Sequence, residues 1–284
     1  MLEQLLSSCL AKIKASEAHL DRFNEATNRF FEGKSQIAPI AGEANPQRTK
    51  YVFTIEEVID WPALEFGVII GDCVHCLRSA LDQLVWGLAR VPDSRTAFPI
   101  CRTEKEWITD APSRYWSVPD TYISLINRAQ PYHRGDKAAE HPLALLSVLS
   151  NLDKHRGIPT IALVPDNHQC EIGLTHGIAE ISNVRFKKGA VYERGAVIAE
   201  AKIVPDDSGL EPQVHANFTQ TFDVGFGDIP GAPWLRRKPV FDTFNELIGQ
   251  PIVDLVFKPL YDGWNEAIGR LNEEAITEGG APEG

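Results

Sequence analysis

The chain has 284 residues, and 28 Lys and Arg against 39 Asp and Glu give a formal charge of −11. Apolar residues make up 43% and charged residues 24%, which is typical of a globular protein with a substantial core and excludes collagenous and low-complexity chains. The acidic balance argues against tight non-specific binding of nucleic acid or an anionic membrane, because phosphate affinity comes mainly from Lys and Arg.

The beginning of the chain is a poor signal peptide, because it has no basic region and Glu3 interrupts its first apolar stretch. No segment approaches the roughly 18 apolar residues that a membrane-spanning helix needs. The five cysteines are an odd number scattered along the chain, which fits reduced thiols better than a disulfide framework. We therefore expect a cytoplasmic protein without a membrane segment. The cysteines are Cys9, Cys73, Cys76, Cys101 and Cys170.

The first half of the chain has helical periodicity. Residues 2–32 predict a long amphipathic helix, because their apolar side chains recur at spacings of three and four. A second helix is predicted from about Leu64 to Arg90, with an apolar seam of the kind that packs in bundles. Shorter helices are predicted near 104–107 and 122–129, and another begins at Pro142 and ends at Gly157. The seam residues are Ile70, Val74, Leu77, Leu81, Leu84 and Leu88.

Strand patterns prevail after residue 157, and one further strand, 51–55, is predicted as an insertion among the helices. The clearest is 214–226, where apolar and polar residues alternate over the whole run. A helical pattern returns at 240–271, with expected breaks at Pro251 and Pro259. The other predicted strands are 158–164, 170–174, 178–186 and 196–204.

This order of elements predicts an α+β fold. An N-terminal helical-bundle half, residues 1–157, contains the short β insertion. An antiparallel β-meander with a closing helix follows over residues 158–272, and residues 273–284 form a disordered tail. The sequence leaves open whether the two halves share one core.

Four side chains lie on the face of the second predicted helix that is opposite its seam: His75, Arg78, Asp82 and Trp86. Projected at about 100° per residue with Leu77 at zero, they fall between about 100° and 180°. One interpretation is a solvated face with an Arg78–Asp82 pair four residues apart. Trp86 instead favours a face that is packed or lines a cleft, since tryptophan is uncommon on a solvated surface.

A second polar group closes the helix that begins at Pro142. Lys154, His155 and Arg156 suit a helix C-terminus because the helix dipole favours cations there. The functional interpretation is that Asn151 and His155, four residues apart, face the polar side of the second helix. Together the two groups would supply a histidine for acid–base chemistry, Arg78 for an anion and a carboxylate that orients the histidine.

A metal site is a separate possibility. Asp72 and His75 have the i,i+3 spacing of carboxylate-bridged metal bundles, but no Glu-x-x-His occurs in the chain. Cys73 and Cys76 form a C-x-x-C without a second pair at zinc spacing, so we expect small core residues. A metal-dependent hydrolase stays an alternative; its residues would be Asp72, His75, Asp82 and His155.

Four sequence blocks resemble a widespread family of uncharacterised bacterial proteins. The blocks are GDCVHCLRSALDQLVW, TAFPI, QPYH and HPLALLSVLSNLDKHR, in that order. The likeness covers most of residues 1–160 and implies a shared architecture without an assigned activity.

The segment 150–155 also resembles the motif of HEPN domains, which are helical bundles and in many cases metal-independent ribonucleases of toxin–antitoxin and phage-defence systems. Asn151 matches the polar residue of that motif and His155 its histidine, while Ser150 stands where the arginine belongs. The resemblance implies a module that binds or cleaves RNA or a nucleotide in a bacterial stress or defence context. His155 would then be the general acid/base, Asn151 its neighbour and Arg78 a phosphate contact.

A non-catalytic protein that binds a small molecule or another protein is the alternative from a different class. The sequence leaves both the cofactor and a homo-oligomer open. The candidate catalytic residues are His155, Asn151, His75 and Asp82, and the candidate ligand-binding residues are Arg78, Lys154, Arg156 and Trp86.

Overall fold

The computed structural model of the chain describes residues 2–32, 40–57, 61–163, 168–187, 193–220 and 223–262. Within these ranges the predicted α+β class is confirmed, because helices precede a set of antiparallel strands and a further helix follows them. The predicted tail at 273–284 lies outside the described residues.

The chain divides into two compact units. The first, here called the helical unit, contains residues 2–20, 70–156 and 242–262. The second, the sheet unit, is built from the described parts of 21–69 and 157–241. The predicted change from helices to strands at residue 157 coincides with one boundary between the units. Residues 21–69, however, belong to the same unit as the later strands, and residues 242–262 to the same unit as the earlier helices.

Two long helices supply much of the buried apolar surface. Helix α1 spans Leu2–Phe31 and gives its residues up to Leu20 to the helical unit; α2 spans Ala63–Leu88 and joins that unit from Ile70. All six predicted seam residues of α2 are buried, with exposed fractions between 0% and 8%. Cys73 and Cys76 are buried beside the seam, as expected for small core residues.

Shorter helices complete the middle of the helical unit. The predicted helices near 104–107 and 122–129 correspond to α3 and α5. The helix predicted from Pro142 is α6, and Gly157 ends it with a positive φ of 74°. That φ is accessible to glycine without strain, which explains the stop. The elements are α3 Glu104–Thr109, α4 Pro112–Tyr115, α5 Asp120–Arg128, a 3₁₀ helix Pro131–Glu140 and α6 Pro142–Arg156.

The C-terminal helix continues through both prolines at which breaks were predicted. A π-helical segment precedes each proline: Phe244–Ile248 before Pro251, and Val253–Phe257 before Pro259. Proline lacks an N–H and its ring clashes with the carbonyl four residues earlier, so a wider turn accommodates it without ending the helix. The α-helical segments are α7 Val240–Thr243 and α8 Gly249–Ile252.

The sheet unit contains a four-stranded antiparallel sheet in the order β1-β2-β6-β5, with β3 paired to β8 and β4 paired to β7. The inner positions of β2 and β6 bury their side chains together, Tyr51 lying opposite Ala201. The strands are β1 Ile40–Ala44, β2 Lys50–Ile55, β3 Thr160–Leu163, β4 His168–His176, β5 Ile178–Phe186, β6 Val197–Pro205, β7 Gln213–Gln220 and β8 Asp223–Phe226.

Two features correct the predicted meander. The run 214–226 is two strands, β7 and β8, which pair with different partners, and residues 221–222 between them lie outside the described residues. The inserted strand β2 pairs with β6, about 150 residues later in the chain, so the sheet is not built from consecutive strands alone. Alternation fixes which face of a strand is buried but leaves its neighbour undetermined.

Candidate functional site

Arg78 and Asp82 fix one wall of the candidate site. They lie one turn apart on α2, and the guanidinium donates to both carboxylate oxygens, Nε to Oδ2 at 3.1 Å and Nη2 to Oδ1 at 2.7 Å. Arg78 Nη2 also donates to the carbonyl of Phe98 at 2.8 Å, while Asp82 Oδ1 accepts the N–H of Phe98 at 2.9 Å. The pair is thus a fork-to-fork ion pair that also holds the loop after α2.

A buried glutamine holds the same loop from its other side. Gln130 is 1% exposed, and its amide nitrogen donates to the carbonyls of Pro99 and Ile126, each at 3.0 Å. Its oxygen accepts the N–H of Cys101 at 2.9 Å. No sequence pattern marks Gln130 as a site residue, because only the fold brings these backbone groups around it.

The held loop borders a cavity of about 480 Å³ in the helical unit, here called the main cavity. Helix α6 contributes four polar side chains to it: Ser147, Ser150, Asn151 and Lys154. Their spacing of i, i+3, i+4 and i+7 places them along one face of the helix. None of the four forms a side-chain hydrogen bond or an ion pair with a residue that the structure describes, so this polar stripe presents its donors and acceptors to the cavity.

The charges around the main cavity differ in how far they are already paired. Arg78 is bound to Asp82, whereas Lys154 and Arg114 form no ion pair within the described part of the chain. Among the acids, Glu106 accepts the N–H of Arg102 at 2.7 Å. Two cationic side chains therefore remain available to an incoming anion.

The thiol of Cys101 belongs to the cavity wall. Burial, with a smaller effect from the negative charge of Glu106, raises the pKa of Cys101 to about 11. The thiol is protonated at neutral pH and is therefore a weak nucleophile.

A shallower hollow of about 280 Å³ adjoins the main cavity and is here called the tryptophan hollow. It is lined by His75 and by Trp86, whose side chain is 49% exposed. Arg78, Asp82 and Lys154 line both cavities, so the two share a rim. The structure thus gathers the four side chains predicted on one face of α2 around one hollow.

The end of α6 lies differently from the expectation. Asn151 and Lys154 line the main cavity, whereas His155 and Arg156 are exposed and line neither cavity. Each step of four residues turns by about 40° around a helix, and Asn151 already lies at the edge of the polar stripe. One further step therefore carries His155 off that face, and Asp82 contacts Arg78 and Phe98 instead of orienting a histidine.

A further group of titratable side chains includes Asp72 of α2. His19 Nδ1 is 3.9 Å from Asp72 Oδ2, and burial raises the pKa of Asp153, with a smaller effect from the charge of Asp72. Within the ranges that the structure describes, no group of three or more His, Cys, Asp or Glu side chains is arranged to hold a metal ion. The metal-dependent alternative therefore finds no ligand set in that part of the chain.

No protein-family model matches the chain, and no curated protein or solved structure is detectably similar to it. Among the helices that the structure describes, none combines the length and the hydropathy that crossing a membrane requires.

Proposed function

We propose that the helical unit binds a small anionic ligand in the main cavity. The observation that carries the proposal is the polar stripe of α6. Its four side chains, Lys154 among them, have no partner among the described residues, and they line the same cavity as Arg114, which is likewise in no ion pair with a described residue. A protein that binds a small molecule is one of the alternatives that the sequence leaves open, and the cavity specifies an anionic one.

Electrostatics supports an anion in this position. Hydrogen bonds between Lys or Arg and a carboxylate or phosphate are about twice as strong as those between neutral groups. Lys154 and Arg114 would supply the charges, and Ser147, Ser150 and Asn151 would donate further hydrogen bonds. A volume of about 480 Å³ lies within the range of small-molecule sites.

The acidic residues of the cavity set a further condition on the ligand. Glu106 and Asp110 also line it, and a carboxylate accepts hydrogen bonds only. A ligand that carries hydroxyl or amino groups as well as its anionic group therefore fits this lining better than a bare anion does.

The test is a thermal-shift series with phosphate, pyrophosphate, citrate and sugar phosphates on the wild-type protein and two variants. Lys154→Ala removes a cation that lines the cavity. Arg156→Ala is the control, because it removes a cation at the same end of α6 that does not line the cavity. We expect at least one anion to raise the Tm of the wild type and of Arg156→Ala, with a clearly smaller effect on Lys154→Ala. An equal response of both variants would contradict the proposal.

RNA cleavage by His155 is the second candidate. Its support is the exposed run of Lys154, His155 and Arg156 at the end of α6, none of which forms an ion pair with a described residue. The His155→Ala variant, compared with wild type on a labelled RNA, tests it, with His133→Ala as a control because His133 is also exposed. Cleavage lost only in His155→Ala supports this function, and equal cleavage, or none by the wild type, excludes it.

A further inference from the structure

We propose that the ligand is a nucleoside monophosphate, whose base lies against Trp86 in the tryptophan hollow while its phosphoryl group occupies the main cavity. This inference rests on the proposed function, and it adds a ligand class that anion binding alone does not require. Its basis is the shared rim: a polar, charged cavity and an aromatic hollow have three lining residues in common.

Trp86 provides the aromatic surface. About half of this large apolar side chain is exposed, although it belongs to a helix whose opposite face is fully buried. A nucleobase stacked on an aromatic side chain removes such a surface from water, and this contact tolerates any base because every base has a π face.

Polar groups around the ring suit the edge of a base. The hydroxyl of Ser79 and the side-chain amide nitrogen of Gln83 line the hollow and have no hydrogen-bond partner among the described residues. The Gln83 oxygen accepts from Ser8 at 3.3 Å, which orients the amide. Nucleotide sites combine such stacking with hydrogen bonds to the edge of the base.

The shared rim suits the ribose. Asp82 is 37% exposed and keeps acceptor capacity beside its bonds to Arg78 and Phe98. Carboxylates at nucleotide sites accept hydrogen bonds from ribose hydroxyls. Lys154, which lines both cavities, and Arg114, which lines only the main one, then lie on the side where the phosphoryl group would be bound.

The experiment is calorimetric titration of the full chain with AMP, GMP, CMP and UMP, each compared with ribose 5-phosphate. Ribose 5-phosphate keeps the sugar and the phosphoryl group but has no base. We expect at least one nucleotide to bind tenfold more tightly than ribose 5-phosphate, because stacking adds a contact that the sugar phosphate lacks.

Trp86→Ala tests the position of the base, and Trp116→Ala is the matched control, because Trp116 is 53% exposed and lines neither cavity. We expect Trp86→Ala to bind the nucleotide only as tightly as ribose 5-phosphate, and to bind ribose 5-phosphate as the wild type does. Trp116→Ala should keep the wild-type difference.

The outcomes separate this inference from the proposed function. If nucleotides and ribose 5-phosphate bind equally, or if Trp86→Ala keeps the preference, the inference is wrong while anion binding stands. If citrate or pyrophosphate binds and nucleotides do not, the nucleotide inference is wrong and anion binding still stands. If none of the anions binds, both are wrong.

Discussion

Arg78 and Asp82 form an ion pair that holds both backbone polar groups of Phe98. One turn of α2 therefore fixes the loop that borders the main cavity, through bonds of 2.7 to 3.1 Å. The Arg78 side chain is only 15% exposed, so its charge depends on this partner. The pair supports the cavity wall, and Lys154 and Arg114 are the cations of the site that form no ion pair with a described residue.

We expect Asp82→Ala to lower the free energy of unfolding by about 2 to 3 kcal/mol, because it leaves the Arg78 charge and the Phe98 N–H without their acceptor. Urea unfolding followed by circular dichroism measures this change. Asp228→Ala is the control, since Asp228 pairs with Arg236 while 81% exposed, and we expect no measurable effect there. Equal effects of the two substitutions would refute the structural role of the Arg78–Asp82 pair.

His141 makes the stability of the helical unit dependent on pH. It is 3% exposed, and its Nδ1 accepts the N–H of Leu143 at 3.1 Å, which caps the first turn of α6 with a neutral ring. Burial, with smaller effects from the charges of Arg134 and His133, lowers the pKa of His141 to about 4. Below its ordinary pKa of about 6.5 the unfolded chain takes up a proton that the folded chain does not.

The free energy of unfolding is therefore unaffected by His141 above about pH 6.5. It falls by up to about 3 kcal/mol as the pH decreases towards 4, because the folded chain resists protonation of His141. His141→Asn should reduce this loss, because an asparagine oxygen can accept the same N–H but does not titrate. Urea midpoints between pH 7 and 4.5 for wild type, His141→Asn and the exposed-site control His155→Asn measure it. An unchanged pH profile in His141→Asn would rule out this assignment.

Two glycines of α2 allow close packing where alanine would normally be the better helix former. A Cβ at Gly67 would lie 2.6 Å from the backbone oxygen of Ile158, and one at Gly71 would lie 2.0 Å from Oδ1 of Asp153. We expect Gly67→Ala to destabilise by about 1 to 3 kcal/mol, instead of the gain of about 1 kcal/mol seen at an open helix position. Gly71→Ala should cost less, because the Asp153 carboxylate can rotate away whereas the Ile158 backbone cannot.

The two positions differ in whether a second substitution restores stability. Asp153→Ala removes the side chain that the Gly71→Ala methyl would meet, so the double variant should be more stable than Gly71→Ala alone. Gly67→Ala meets backbone, and no such rescue by Asp153→Ala is expected. Thermal unfolding measures this for the two single glycine variants, for Asp153→Ala and for both double variants. Rescue at both positions, or at neither, would contradict these two close contacts.

Local patterns predicted the elements well and their partners poorly. The seam of α2 was readable because helical burial repeats at spacings of three and four within one segment. The pairing of β2 with β6 joins positions about 150 residues apart, and nothing in either strand encodes that choice. The division of 214–226 into two strands was missed for the same reason.

The residues of the candidate site likewise fall into those that a local pattern predicts and those that only the fold brings together. Helical spacing predicts Arg78, Asp82 and Asn151 as candidates, and the helix end predicts Lys154; the structure places all four around the main cavity. Arg114 carries no signal in the sequence, since only the fold brings α4 to the cavity. His155 was predicted to face α2 by a step of four residues, and the 40° turn of that step is what carries it away from the cavity.

Ligand binding by the polar stripe of α6 is tested most directly by nuclear magnetic resonance. The labelled full chain is titrated with inorganic phosphate and then with the nucleotide that binds most tightly. We expect the shift changes with phosphate to concentrate in residues 97–114 and 147–154, and those with the nucleotide to include residues 75–86 as well. None is expected in β5 and β6 of the sheet unit, and both sets should weaken in Lys154→Ala but not in Arg156→Ala. Shift changes that avoid residues 147–154, or that are the same in both variants, would contradict it.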